Sequence, residues 1–154
     1  NIWPFLNVLS DRKHIEKFVG LNFGDSCGMD SVFKETDSSK LFLKIDIEGT
    51  EYRILDDLIN NKNRITGLVI EFHDCDLHID RIQSFVEKFK MPLVHIHANN
   101  FAPTTEDTGL PLVLEMTFSK NAKLGAESIL PHKFDTPNNR DDPEIALKFS
   151  GTSV

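Results

Sequence analysis

Cysteine is scarce in this chain of 154 residues: it has two, Cys27 and Cys75. Neither their number nor their spacing suggests a disulfide framework or a zinc ribbon, and a reducing, cytoplasmic compartment is the default expectation. Long apolar runs are missing too. The longest fall far short of the roughly 20 residues that cross a bilayer, so no membrane span is expected. Positive charge is in the minority, with 17 Lys+Arg against 24 Asp+Glu and a formal net charge of -7. An acidic surface repels phosphate backbones, and no basic run suggests a nucleic-acid arm, so nucleic acid is not an expected partner. No basic segment precedes the apolar residues Ile2, Trp3, Phe5 and Leu6, so the N-terminus does not read as a signal peptide. An abrupt apolar opening is what a piece excised from a longer chain would show. Trp and Tyr occur once each. Internal repeats and low-complexity segments are absent.

Phenylalanine, by contrast, is abundant, at 12 residues, within a composition that is 40% hydrophobic and 27% charged. That balance argues against global disorder, and a chain of this length buries a real core. One domain over residues 1–154 is the expectation. Residues 1–40 look irregular. Asp11 to Phe18 reads as a short helix, Phe18 to Phe23 alternates like a strand, Gly24 to Gly28 reads as a loop, and Ser31 to Glu35 as a helical turn. The core spans 41–120. Leu41 to Ile47 is apolar on one face and largely so on the other, as in a strand buried in a mostly parallel sheet. Thr50 to Asn61 has helical spacing, with Thr50 as N-cap and Glu51 at the positive end of the helix dipole. Ile65 to Phe72 is a second strand. Asp76 to Phe89 is a helix with Ile79, Ile82, Phe85, Val86 and Phe89 on one stripe. Leu93 to His97 and Leu112 to Phe118 are two more strands, and residues 121–154 look like an irregular tail. Alternation of strand and helix implies a parallel α/β sheet. The last connection has no clear helix, so Leu112 to Phe118 is expected to enter antiparallel, as a hairpin partner of Leu93 to His97.

Ligands in open α/β sheets bind beyond the carboxyl ends of the strands. Here those ends are Asp46-Ile47-Glu48-Gly49, Glu71-Phe72-His73-Asp74 and His95-Ile96-His97-Ala98-Asn99-Asn100. Three polar tips on one edge point to a site. Each residue also has a plainer reading. Asp46 sits in an apolar run, where an unpaired carboxylate is costly, and could pair with Lys44 or cap the next helix. Glu48 and Glu51 could complement the helix N-terminus. Glu71 and His73 could be a partly buried pair holding two loops. His97 and Asn99 could staple loops, and His95 could face the other side of the sheet. His14 and His78 read as solvated. The spacings match no standard metal signature, although Asp, Glu and His are suitable ligands.

The stretch Leu43-Lys44-Ile45-Asp46-Ile47-Glu48-Gly49-Thr50-Glu51-Tyr52 resembles the K-I-D-(I/V)-E-G-x-E signature of FkbM-type methyltransferases. Val69-Ile70-Glu71-Phe72-His73, His95 to Asn100 and Leu114 to Phe118 are similar to that family's later strands, the last of which runs antiparallel, and Phe134 to Asn139 looks like family endings. The resemblance covers roughly residues 18–120. It implies a Rossmann-like methyltransferase sheet, here a partial one, and transfer of a methyl group from S-adenosylmethionine to a hydroxyl oxygen of a small molecule or sugar. Carried over by position, Asp46 and Glu48 border the cofactor, Glu51, His97 and Asn99 the acceptor, and His73, Glu71 and Asp46 the chemistry, with His73 as first choice of base. In that fold a Gly-rich turn after the first strand carries the cofactor. Gly24-Asp25-Ser26-Cys27-Gly28 is the sole candidate here and reads as a loop, so the cofactor-binding half is expected to be missing and the chain inactive alone. Two other readings stay open. The chain could be a binding or assembly module that forms a homo-oligomer through an open sheet edge, or a metal-assisted enzyme using Asp46, Glu71, His73 and His97.

Overall fold

A computed structural model of the chain describes residues 14–123 and 129–147. The first elements are small. β1 (Phe18–Val19) pairs in parallel with β2 (Ser26–Cys27), and α1 (Met29–Lys34) follows directly. The expected strand to Phe23 thus stops at Val19, and residues 20–25 turn instead, with the Asn22 side chain accepting the Gly28 amide at 2.6 Å. Of the expected helix Asp11 to Phe18, residues 11–13 lie outside the described residues, and 14–17 are not helical.

The central sheet is built from β3 (Leu41–Ile45), β4 (Ile65–Phe72), β5 (Leu93–Ala98) and β6 (Leu114–Ser119), in the order β3-β4-β6-β5. β3 runs parallel to β4, and β6 runs antiparallel to both β4 and β5. Three strands therefore point one way, and the architecture is α/β with a mixed sheet. β6 is a partner of β5, as expected, but it also inserts between β5 and β4. The reason is apolar: Leu114, Met116 and Phe118 are buried on the face where Leu68, Ile70 and Phe72 stand opposite them.

That face is covered by α2 (Leu55–Asn60) and α3 (Cys75–Phe89). The stripe on α3 buries Ile82, Phe85 and Phe89. The rings of Phe85 and Phe89 stack at 4.9 Å, and each meets Phe118 edge-on, at 5.9 and 5.6 Å. Such pairs add about 0.5–1.5 kcal/mol each beyond their burial. The other face is mostly polar, with Val69 in its middle and an aromatic ring at its β3 end. There the Phe42 ring, itself 66% exposed, lies over Gly67 so closely that a Cβ on Gly67 would come within 2.7 Å of it.

The expected helix from Thr50 to Asn61 is broken. Glu51–Arg53 form a 3-10 turn, and the α-helix begins only at Leu55. Thr50 takes the N-cap position of that turn but makes no side-chain cap bond, because its hydroxyl proton is shared between the carbonyls of Val19 and Ile47, each at 3.1 Å, tying β1 to the end of β3. Among the described residues no helix is long and apolar enough to cross a membrane. Residues 129–147 contain no helix or strand, in keeping with an irregular tail, yet they pack on the polar face of the sheet.

Candidate functional site

Because β3, β4 and β5 point the same way, their carboxyl ends share one edge. The strand β3 closes at Ile45, two residues earlier than expected, so Asp46 and Ile47 belong to the connection. The chain then turns through two left-handed residues, Glu48 (φ 53°) and Gly49 (φ 94°). Glycine takes that conformation freely, whereas a glutamate does so at a cost. An open cleft of about 530 Å³ lies at this edge. Lys44, Asp46 and Glu48 line it from β3 and its turn, Glu71 from β4 and His73 just after it, Asn99, Phe101 and Ala102 from the loop after β5, Val113 just before β6 and Glu115 in it, and Asn138 from the tail.

Of the seven expected site residues, five line this cleft: Asp46, Glu48, Glu71, His73 and Asn99. Glu71, with 9% of its side chain exposed, is balanced by Lys44 Nζ at 3.8 Å and accepts the Asn99 amide at 2.8 Å. Lys44 Nζ also lies 3.3 Å from Asp46 Oδ2, the pairing foreseen as a structural alternative.

Glu51 is placed differently from a residue that merely flanks a helix. It is fully buried beneath the cleft, and its Oε1 accepts the backbone N–H of Ile47 at 3.3 Å and of Gly49 at 3.1 Å. The carboxylate thus folds back to hold the turn, which is the physical reason a regular helix does not start at Thr50. The same oxygen faces His73 Nδ1 at 3.1 Å. Glu51 Oε2 is buried with no hydrogen-bond partner among the described residues. With Nδ1–H donating to Glu51, His73 presents the lone pair of Nε2 to the cleft, 3.4 Å from Glu48 Oε2.

Tyr52 supports this arrangement from below. Its hydroxyl donates to the His73 carbonyl, its ring packs at 4.0 Å from His78, and the Arg81 guanidinium lies over it. His78 is therefore half-buried and not the solvated residue expected, while His14 is exposed. Burial, followed by the charges of Cys75, Glu51 and Asp74, raises the Tyr52 hydroxyl well above its ordinary value. Burial likewise pushes the Cys75 thiol up to about 12 against the opposing effect of its hydrogen bond to the Leu114 backbone. A buried, protonated thiol is no nucleophile at neutral pH.

His97 lies outside the cleft lining, so the acceptor-binding place expected for it is not where the structure puts it. The residue is 8% exposed, with Nε2 at 3.1 Å from Glu144 and Nδ1 at 3.6 Å from Glu115. It clamps the tail to the sheet together with His95, which meets Asp135 at 2.9 Å, and Asn100. The Asn100 side chain donates to the carbonyls of Asn139 and Asp142 and accepts the Asn139 amide at 2.7 Å. Loop stapling, one of the sequence readings for His97, describes this contact.

Sequence reasoning missed Lys44, Glu115, Phe101 and Asn138. The first two carried a signal. Lys44 is two residues before Asp46 and so on the same face of a strand, and Glu115 is the one charge within the apolar run from Leu112 to Phe118. Phe101 and Asn138 sit in loops whose paths no local pattern fixes.

Two kinds of bound group bear on this edge. For S-adenosylmethionine the fit is poor. Among the described residues before β3, the strands are two residues long, the Gly28 amide is committed to Asn22, and the helix that follows has six residues. A metal ion fits better, since Asp46, Glu48 and His73 each offer a ligand atom within 4.8 Å of the others. No protein-family model, curated protein or solved structure matches the chain.

Proposed function

We propose that this cleft is the acceptor-side pocket of a methyltransferase-like domain of FkbM type, receiving a hydroxyl-bearing small molecule or sugar. The observation that carries the reading is the convergence of Asp46, Glu71, His73 and Asn99, drawn from three strand ends, into one open cleft. The mixed sheet, with its last strand antiparallel, supports taking it as part of a Rossmann-like methyltransferase sheet. Asp46 and Glu71 would accept hydrogen bonds from hydroxyl groups, and Asn99, already held by Glu71, would fix the second side of the acceptor. His73 Nε2, with Glu51 behind the ring, would take up a hydroxyl proton. Methyl transfer in this family draws on S-adenosylmethionine. The described residues do not fit that cofactor, so in this reading its contacts come from outside them, in cis or in trans.

Calorimetry of the 154-residue chain with S-adenosylmethionine should show no binding tighter than about millimolar. Tight binding would remove the claim that the cofactor is held from elsewhere. Amide chemical shifts recorded with a panel of monosaccharides should move at Glu71, His73 and Asn99. Shifts scattered over the surface, or none, would sink the acceptor pocket.

A second reading has its own observation. β3 ends the described sheet, and Phe42 on it is exposed, so this edge could join a second copy of the chain.

A further inference from the structure

We propose that the cleft binds a divalent transition-metal ion through Asp46, Glu48 and His73. One ligand atom from each lies within 4.8 Å of the other two, and Glu48 Oε2 is already 3.4 Å from His73 Nε2. Ligands at about 2.0–2.2 Å from one ion sit roughly 3 Å apart. Asp46 and Glu48 are both exposed, so their side chains can close the remaining gap without moving the fold.

An independent observation behind the histidine points the same way. Glu51 is a fully buried carboxylate, its Oε2 is unpartnered among the described residues, and its Oε1 lies 3.1 Å from His73 Nδ1. A buried carboxylate is costly without positive charge nearby. Glu51 does not touch the cleft, but it grips Nδ1 and aims Nε2 at Asp46 and Glu48. A carboxylate on one nitrogen of a metal-binding imidazole fixes its tautomer and makes the other nitrogen a better ligand. With Nδ1–H donated to Glu51, His73 Nε2 and Glu48 Oε2 are two acceptors 3.4 Å apart unless a proton or a cation lies between them. A metal ion between them is coordinated by both.

Lys44 is the cation that competes for Asp46, and it has an alternative in Glu71 when an ion takes its place. The imidazole nitrogen favours zinc over manganese, magnesium or calcium. Three protein ligands leave a position open toward the cleft, where a water or a substrate hydroxyl can bind. A proton on Nε2 and a metal on Nε2 exclude each other, so base and ligand are alternative uses of one lone pair. The cation site depends on the geometry of the cleft and not on methyl transfer.

The test uses the 154-residue chain stripped with a chelator, then titrated with Zn²⁺, Mn²⁺, Mg²⁺ and Ca²⁺ by calorimetry and thermal melting. One Zn²⁺ per chain should bind and raise Tm, with Mg²⁺ and Ca²⁺ weaker. Glu48→Gln changes a side chain that is 84% exposed, so the fold is kept. That variant and Asp46→Asn should each weaken Zn²⁺ by about tenfold or more. The proposal is overturned if no ion binds, which leaves a proton bridging Glu48 and Glu51 through His73, or if Zn²⁺ binds both variants as tightly as the parent. Calorimetry with S-adenosylmethionine is a separate measurement, so loss of one reading leaves the other standing.

Discussion

Glu51 shows how much one side chain decides. Its carboxylate, itself closed to water, holds two backbone amides of a turn and one imidazole. Glu51→Ala strands those donors and should cost about 3 kcal/mol in urea unfolding, while Glu51→Gln, which keeps an acceptor, should cost less. A loss below about 1 kcal/mol for the alanine variant would mean the turn is held by something else. Asp57 behaves in the opposite sense. Burial, then Asp30 and Asp56, raise its carboxyl above the ordinary value. The folded chain therefore holds that proton more tightly than the unfolded chain. The stability so gained is complete below the ordinary carboxyl range and is lost as pH rises through the raised value. Asp57→Asn should raise stability slightly at pH 7, by at most about 0.5 kcal/mol, and the gain should vanish in acid. Thermal melts at the two pH values check this, and an equal gain at both would refute it.

The elements differ in how plainly the sequence announces them. β4, α3 and the existence of the strand β6 follow from apolar periodicity, because burial on a sheet face or helix stripe repeats along the chain. The strand-end rule then brings Asp46, Glu71, His73 and Asn99 together without knowledge of any loop. What stayed hidden depends on single long-range contacts. The helix break after Thr50 comes from a side chain reaching back to Ile47 and Gly49, and a helical pattern in Leu55 and Leu58 cannot register it. The tail is the other case. Its docking on the sheet rests on His95, His97 and Asn100, each paired with a residue far along the chain. Asn100→Ala should free the tail, giving faster proteolytic cleavage within residues 129–147 while far-UV circular dichroism is unchanged. Cleavage at the parental rate would show that the histidine pairs alone suffice.

At the scale of the whole molecule, β3 is an end strand whose neighbour in the described sheet is β4 alone, and it carries an exposed aromatic ring. Edges of this kind invite pairing unless charge or cover blocks them. The mass in solution, by light scattering over a wide range of concentrations, should therefore rise above that of one chain. A lysine at Phe42 should bring it back down. A single-chain mass at every concentration would dispose of the edge as an interface. The position of β6 has a different consequence, for the order of events in synthesis. The ribosome delivers β5 before β6, yet β5 has no strand to bond to until Leu114–Ser119 arrives between it and β4. Until then Phe85 and Phe89 also lack the ring of Phe118 that meets them. Closure is thus a late and single event, and a nascent chain stalled short of Leu114 holds two disconnected pieces instead of a smaller copy of the same sheet.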